Sequence, residues 1–287
     1  MAQKVAIVTD SSACIPAELT EKYGIGVVPL NVIFGDKTYQ DGIDISPAEF
    51  YARLREVAEL PTTAHSSAGA HLEAYRKASR TASSILYITI SAKFSGQFSS
   101  ARLAVELARE ALPGVAIEVL VCGTAAAAQG LVVLAAARAA ASGQSLDEVM
   151  AKAKSVAGQV SLLAMLDNLH YLVRGGHVPK LAAKASSLFR IKPILTINDG
   201  DARPLARAQT TSGALKRMLG IMKRRVVEGQ PLHVAVMHAD ALDNALVLRS
   251  EISARFQCSE LFITEFTPVM GAHIGPGLVG VAFYCGD

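Results

Sequence analysis

Short apolar runs alternate with amphipathic stretches through the first half of the chain. Val5 to Val8 is a compact apolar run ahead of the polar Thr9-Asp10-Ser11-Ser12, and it predicts a buried strand. Pro16 to Tyr23 predicts a helix that Gly24 stops. Val27 to Phe34 predicts a second strand. Ser46-Pro47-Ala48-Glu49 reads as a helix start, with Ser46 as cap, Pro47 at the first helical position and Glu49 closing a capping box. Ile85 to Ile90 and Ile117 to Val121 predict strands, with a helix from Phe98 to Ala111 between them and an alanine-rich helix after them. Strands that alternate with helices imply crossover units and a largely parallel sheet.

The pattern changes after Ser145-Leu146-Asp147-Glu148, a second capping box that opens a polar helix. Val160 to Leu166 starts a new apolar run. Pro193 to Ile197, Asn198-Asp199-Gly200-Asp201 and Leu205 to Gln209 predict a β-hairpin. A basic helix from Thr211, a strand from Leu232, a helix from Asp240 and strands from Leu261 and Leu278 follow. The expected fold class is α/β in two lobes. Residues 1–160 form an N-terminal lobe with a largely parallel sheet and crossover helices, and residues 161–287 a C-terminal lobe with a mixed α/β sheet. A ligand would lie between them, and the helix around 66–80 is open to packing with the second lobe.

The totals narrow the function. The chain has 287 residues, 51% of them hydrophobic, more than one small core needs. Lys and Arg number 28 against 25 Asp and Glu, a net charge of +3, and Trp is absent. That argues against a nucleic-acid partner, which calls for a concentrated basic footprint or stacking aromatics. Val119 to Ala141 is the most apolar long stretch, but Gly123, Thr124, Gln129, Gly130 and Arg138 interrupt it. A membrane span needs roughly 20 predominantly apolar residues, so no stable membrane insertion is expected. The run after Lys4 is too short for an export signal. Cys14, Cys122, Cys258 and Cys285 are scattered and predict free thiols in a reducing, cytoplasmic setting, with no metal site.

Four stretches carry candidate chemistry because small polar residues interrupt strong patterns. Thr9-Asp10-Ser11-Ser12 offers hydroxyls and backbone N–H groups after the first strand, or simply caps a helical turn. Pro61-Thr62-Thr63-Ala64-His65-Ser66-Ser67 is rich in hydroxyls just before a helix, where it could be a capping loop. In Ser91-Ala92-Lys93-Phe94-Ser95-Gly96, Gly96 permits a close approach and Ser95 would face whatever sits there. Gly271-Ala272-His273-Ile274-Gly275-Pro276-Gly277 places one imidazole on a tightly shaped backbone, or is an ordinary glycine-rich turn. Arg174-Gly175-Gly176-His177, and Arg203 with Arg207 on the hairpin, are further basic positions whose plain reading is a helix end and exposed strand charges. No Walker A loop, strand-coupled GxGxxG, GxSxG elbow or HExxH is present.

Taken together, these stretches resemble the DegV family in order and spacing over essentially the whole chain. The resemblance implies a two-lobed α/β protein with no cofactor and no nucleotide site of its own. Such a protein would bind a long-chain fatty acid, for example palmitate, in a buried tunnel. It would present the carboxylate to a separate ATP-dependent fatty acid kinase, which makes an acyl phosphate for phospholipid metabolism. By position, Thr63, Ser95 and His273 match the family's carboxylate-binding groups. Thr62, Gly96, Ser11 and Gly275 match the pocket-shaping backbone, and Arg174 and Arg207 the partner-facing or phosphate-facing positions. The chain departs from the family at Ala64 and His65 in the hydroxyl loop, and at His177 where another Arg is usual. Two other readings of the residues stay open. One is a stand-alone phosphotransferase or acyl hydrolase using Ser95 and His273, the other a lipid-sensing regulatory protein.

Overall fold

The computed structural model describes residues 4–167, 169–174, 191–198 and 200–286, with the side chains of 173, 174 and 198 left out. In chain order the elements begin with β1 (Val5–Asp10), a short 3-10 turn (Ser11–Ala13), α1 (Ala17–Tyr23), β2 (Gly26–Val28), β3 (Asn31–Phe34), β4 (Lys37–Gln40), α2 (Pro47–Leu54), β5 (Thr62–Ala64), α3 (Ala68–Ser79), β6 (Ser84–Thr89), α4 (Gln97–Ala111), β7 (Ala116–Val121), α5 (Ala126–Ala141) and α6 (Leu146–Gln159). They continue with β8 (Ser161–Met165), α7 (His170–Arg174), β9 (Lys192–Asn198), β10 (Asp201–Ala208), α8 (Thr211–Arg225), β11 (Leu232–His238), α9 (Leu242–Arg255), β12 (Glu260–Glu265), α10 (Pro268–Ile274) and β13 (Val279–Cys285).

The N-terminal sheet is parallel, in the order β2-β1-β6-β7, and the C-terminal sheet is mixed, in the order β10-β9-β8-β13-β11-β12. The expected α/β class and the parallel and mixed sheets are present. A third, antiparallel sheet β4-β3-β5 was not expected. The predicted strand from Val27 to Phe34 is broken at Pro29 and Leu30, and its two halves join different sheets. Proline has no N–H for a ladder and fixes φ, so a strand turns there rather than running through.

Alternation along each strand sorts the side chains into layers. Val5 and Ile7 of β1, with Leu86 and Ile88 of β6, face inward onto α5. Ala235 and Met237 of β11, with Ala282 and Tyr284 of β13, meet the same helix from the other sheet. The outer face of the parallel sheet, with Ile85 and Tyr87, is covered by α3 and α4. The outer face of the mixed sheet, with Val234 and Val236, is covered by α8 and α9. The stack is therefore helix, sheet, helix, sheet, helix. Helix α3 packs mainly on α4, β1, β2 and β6 of the first lobe. Both capping boxes form as their sequences predict, at Ser46 with Glu49 and at Ser145 with Glu148. Among the described residues no helix is long and apolar enough to cross a membrane.

Helix α5 is buried except at Arg138 and Ala141. Arg138 leaves the layer to bind both carboxylate oxygens of Glu260, one of them at 2.6 Å, and the same carboxylate meets His233 Nδ1 at 2.9 Å. Burial alone would raise the Glu260 carboxyl, but the His233 contact and the Arg138 guanidinium outweigh it and hold it below its ordinary value. A folded-state pKa below the unfolded one adds stability above the ordinary carboxylate range, and that stability is lost as pH falls through the folded value. Urea unfolding of Glu260→Gln and of the unchanged protein, at neutral pH and at about pH 3, checks this. The substituted protein should lose less stability on acidification, and an unchanged acid slope would refute the clamp.

Candidate functional site: a cavity between the two sheets

A cavity of about 710 Å³ lies where the chain leaves the first sheet and meets the second. The first lobe contributes Ser12 after β1, Ile90 and Phe94–Gly96 after β6, Ala125 before α5, and the segment Glu59–His65. The second lobe contributes Leu172, Ile197, Ala202, Met270 and His273. Loops after parallel strands are where such folds bind ligands, because strand ends stop there and leave a crevice. Leu30, Leu60, Ile90, Phe94, Val269 and Ile274 make most of the wall apolar.

The polar groups come from three elements. β5 pairs with β3 so that Thr63 lies opposite Val32. Helix α10 brings His273, whose Nε2 lies 2.9 Å from Thr63 Oγ1 across the two lobes. The loop after β6 brings Ser95, whose Oγ accepts from the Gln97 amide at 3.3 Å at the start of α4. Thr63, Ser95 and His273 are half-buried, whereas Thr62, His65 and Gly96 are exposed. The polar end of the cavity therefore meets solvent. Gly96 has an ordinary φ of -74°. Its value lies in space, since a Cβ there would stand 3.0 Å from His65 Nδ1.

Buried polar side chains hold these loops together. The carboxylate of Asp10 accepts from the Ser12 amide at 3.2 Å and from the Ser12 hydroxyl. It also accepts from Gln129 Nε2 at 3.2 Å, Thr89 Oγ1 at 2.6 Å and the Ile90 amide at 3.3 Å. A buried carboxylate with this many donors needs no cation beside it. Gln97, also buried, accepts from the Ser66 amide at 2.8 Å and donates to Ser66 Oγ at 3.3 Å, tying the Ser95 loop to the segment after β5. The Asp10 cap on the Ser12 amide is the local turn its sequence stretch suggests, whereas its bonds to Gln129, Thr89 and Ile90, and those of Gln97 to Ser66, join segments distant in sequence. The thiols of Cys14 and Cys122 are pushed up to about 12 by burial, so neither is a ready nucleophile. Among the described residues no group of three His, Cys, Asp or Glu side chains could hold a metal ion.

Five of the sequence candidates thus line one cavity: Thr62, Thr63, Ser95, Gly96 and His273. Ser11 does not. Its Oγ turns away to accept from the Leu30 amide at 3.1 Å, and Ser12 lines the cavity instead. Gly275 stands just outside the lining, at φ 72°, closing α10. Arg207 is exposed on β10, opposite Pro193, and is not part of the lining. The side chain of Arg174, and His177 entirely, lie outside the described residues. The stretch around His273 is a helix and not a turn. Thr267-Pro268 at its start and Gly275 at its end repeat the punctuation already read at Ser46-Pro47 and Gly24, so the signal was there.

The fold and this cavity define a two-lobed α/β protein with an apolar interior opening on hydroxyls and an imidazole. The DegV family model matches residues 4–285, and the chain belongs to that family. A DegV domain-containing protein of Streptomyces coelicolor is 36% identical over 98% of each chain. A fatty acid-binding DegV family protein from Thermus thermophilus superposes with a TM-score of 0.90 at 29% identity, over 98% of this chain and 99% of that one. DegV from Bacillus subtilis, a fatty acid-binding protein, superposes with a TM-score of 0.88 at 29% identity, over 99% of this chain and all of that one.

A Cβ at Gly275 would lie 2.1 Å from Tyr171 Cδ2, on a backbone conformation that side chains disfavour. Gly275→Ala should therefore lower the unfolding free energy by about 1–3 kcal/mol in urea titrations. A loss below about 0.5 kcal/mol would show that Tyr171 moves aside freely.

Proposed function

We propose that this chain binds one long-chain fatty acid, of the palmitate kind, with its tail in the cavity and its carboxylate at Thr63, Ser95 and His273. The observation that carries this reading is the Thr63–His273 contact of 2.9 Å at the solvent-facing end of a cavity whose wall is mostly apolar. Each buried CH₂ contributes about 0.8 kcal/mol, so a long acyl chain supplies about 10 kcal/mol before ordering costs. The headgroup then needs orientation more than charge. Thr62, Gly96 and Gly275 shape its surroundings. Structures of DegV relatives that bind fatty acids support the ligand class.

The bound carboxylate becomes the substrate of a separate ATP-dependent fatty acid kinase. One carboxylate oxygen attacks the γ-phosphorus of ATP, ADP leaves, and a mixed acyl–phosphate anhydride forms, an activated acyl group for phospholipid synthesis. Hydroxyl and imidazole donors hold a carboxylate without an ion pair to Lys or Arg, so an oxygen lone pair stays available. Arg207, and Arg174 where α7 ends, belong on the side that meets the kinase, and the chain itself acts as carrier rather than enzyme. The cytoplasm supplies ATP and keeps the cysteines as free thiols.

Native mass spectrometry of the purified protein, followed by organic extraction, tests ligand binding. One fatty acid per chain is the expected result, and a protein that stays empty when offered palmitate overturns the reading. Thr63→Val removes the hydroxyl that meets His273. It should weaken palmitate binding about tenfold in a displacement titration, the effect of one hydrogen bond to a charged group. Unchanged affinity in Thr63→Val and Ser95→Ala would move the headgroup elsewhere.

A further inference from the structure

Asp41 follows β4 and does not line the cavity, yet it holds the helix that carries His273. Its side chain is buried at 3% exposure, and Oδ1 accepts from the Val269 amide at 3.1 Å, in the first turn of α10. Thr267 occupies the N-cap position of that helix but makes no side-chain capping bond. The cap comes instead from a residue more than 200 positions away in the other lobe. Val269 and His273 are four residues apart, so they lie one above the other on one helix face.

Asp41 is itself fixed. Its amide donates to the Leu30 carbonyl at 2.9 Å, and it bridges to Ile45. Leu30 runs directly into β3, which pairs with the β5 strand that bears Thr63. The residue that caps α10 and the residue that meets His273 therefore hang from the same small sheet. A second anchor lies midway along α10. A Cβ at Gly271 would stand 2.7 Å from Tyr51 Oη and 2.8 Å from Phe50 Cε1, so the helix rests directly on α2.

We propose that Asp41 is a positioning residue for the headgroup site: its carboxyl caps α10 from the opposite lobe and so sets His273 Nε2 at Thr63. The proposal rests on the reading that this end of the cavity takes the carboxylate. The cap requires an acceptor oxygen and not a negative charge. Asp41 Oδ2 and Thr267 Oγ1 are both buried, and neither makes a hydrogen bond of ordinary geometry among the described residues, although Thr267 and Ser11 lie close enough to pull on the carboxyl. Burial raises the Asp41 carboxyl above its ordinary value, against the lowering pull of Ser11, the Val269 amide and Thr267. Asparagine keeps an acceptor at Oδ1, while alanine removes it.

The test compares the unchanged protein with Asp41→Ala and Asp41→Asn, using ¹H–¹⁵N spectra of the His273 imidazole in ligand-free protein and palmitate affinity. In Asp41→Ala, folded by circular dichroism, the His273 resonances should move and palmitate affinity should fall about tenfold, the size of a lost cap. Asp41→Asn should restore both. If Asp41→Ala leaves the His273 resonances and the affinity unchanged, the proposal is overturned. It is equally overturned if Asp41→Asn is folded but shows displaced resonances. Should Asp41→Ala fail to fold, Asp41→Asn alone decides, since a retained imidazole signature supports the cap. Should the unchanged protein take up no palmitate, the functional reading fails, while the ligand-free imidazole spectra still decide the role of Asp41.

Discussion

Helix α5 can be buried on both sides because alanine leaves a helix thin enough for two sheets to close on it. Leucine at those positions would hold the sheets apart and leave voids between larger side chains. The parallel sheet and the mixed sheet reach the helix with alternate residues of their strands, Val5 and Ile7 from one and Ala235 and Met237 from the other. This contact brings the ends of the two sheets within reach of one small ligand. The first residues of α5 continue the link to the site, since Ala125 lines the cavity and Gln129 reaches back to Asp10.

Around that core, the cavity is assembled from pieces held by their backbones. Asp10 binds the Ile90 amide and the Ser12 amide, so one carboxylate sets two of the loops at the mouth. Gln97 joins the Ser95 loop to the segment after β5, and Asp41 joins β4 to the helix of His273. None of these three groups is a cavity-lining residue. Buried polar side chains that bond across elements carry direction as well as energy, because a misplaced partner would leave a further unsatisfied group in the core. Hydroxyls and an imidazole at the mouth, with a mostly apolar wall behind them, suit an amphiphile with one acidic end.

Much of the fold was legible along the chain. The strands at Val5, Ile85 and Leu232 announce themselves as short apolar runs, and Ser46 and Ser145 announce helices through reciprocal caps whose partners lie three residues away. Local rules read what local contacts make. The failures share the opposite cause. β5 is three residues long, and Thr62–Ala64 becomes a strand only because β3 is there to pair with it. Ser11 and Ser12 are equivalent as sequence, and the Leu30 amide decides which of them turns away. His273 could be picked out as an imidazole among glycines, but its helix went unread because the glycines suggested a turn.

The sequence by itself determined the α/β class, the caps, the alternation that sorts strand faces, and the small polar stretches from which a site could be built. Those depend on residues within a few positions of one another. Only the tertiary structure decided that Thr63 meets His273, 210 positions away, that Ser12 rather than Ser11 lines the cavity, and that Asp41 caps a helix in the other lobe. The reason is geometric. A hydrogen bond acts over about 3 Å, and sequence spacing carries no distance information once two segments are separated by whole elements of a packed fold.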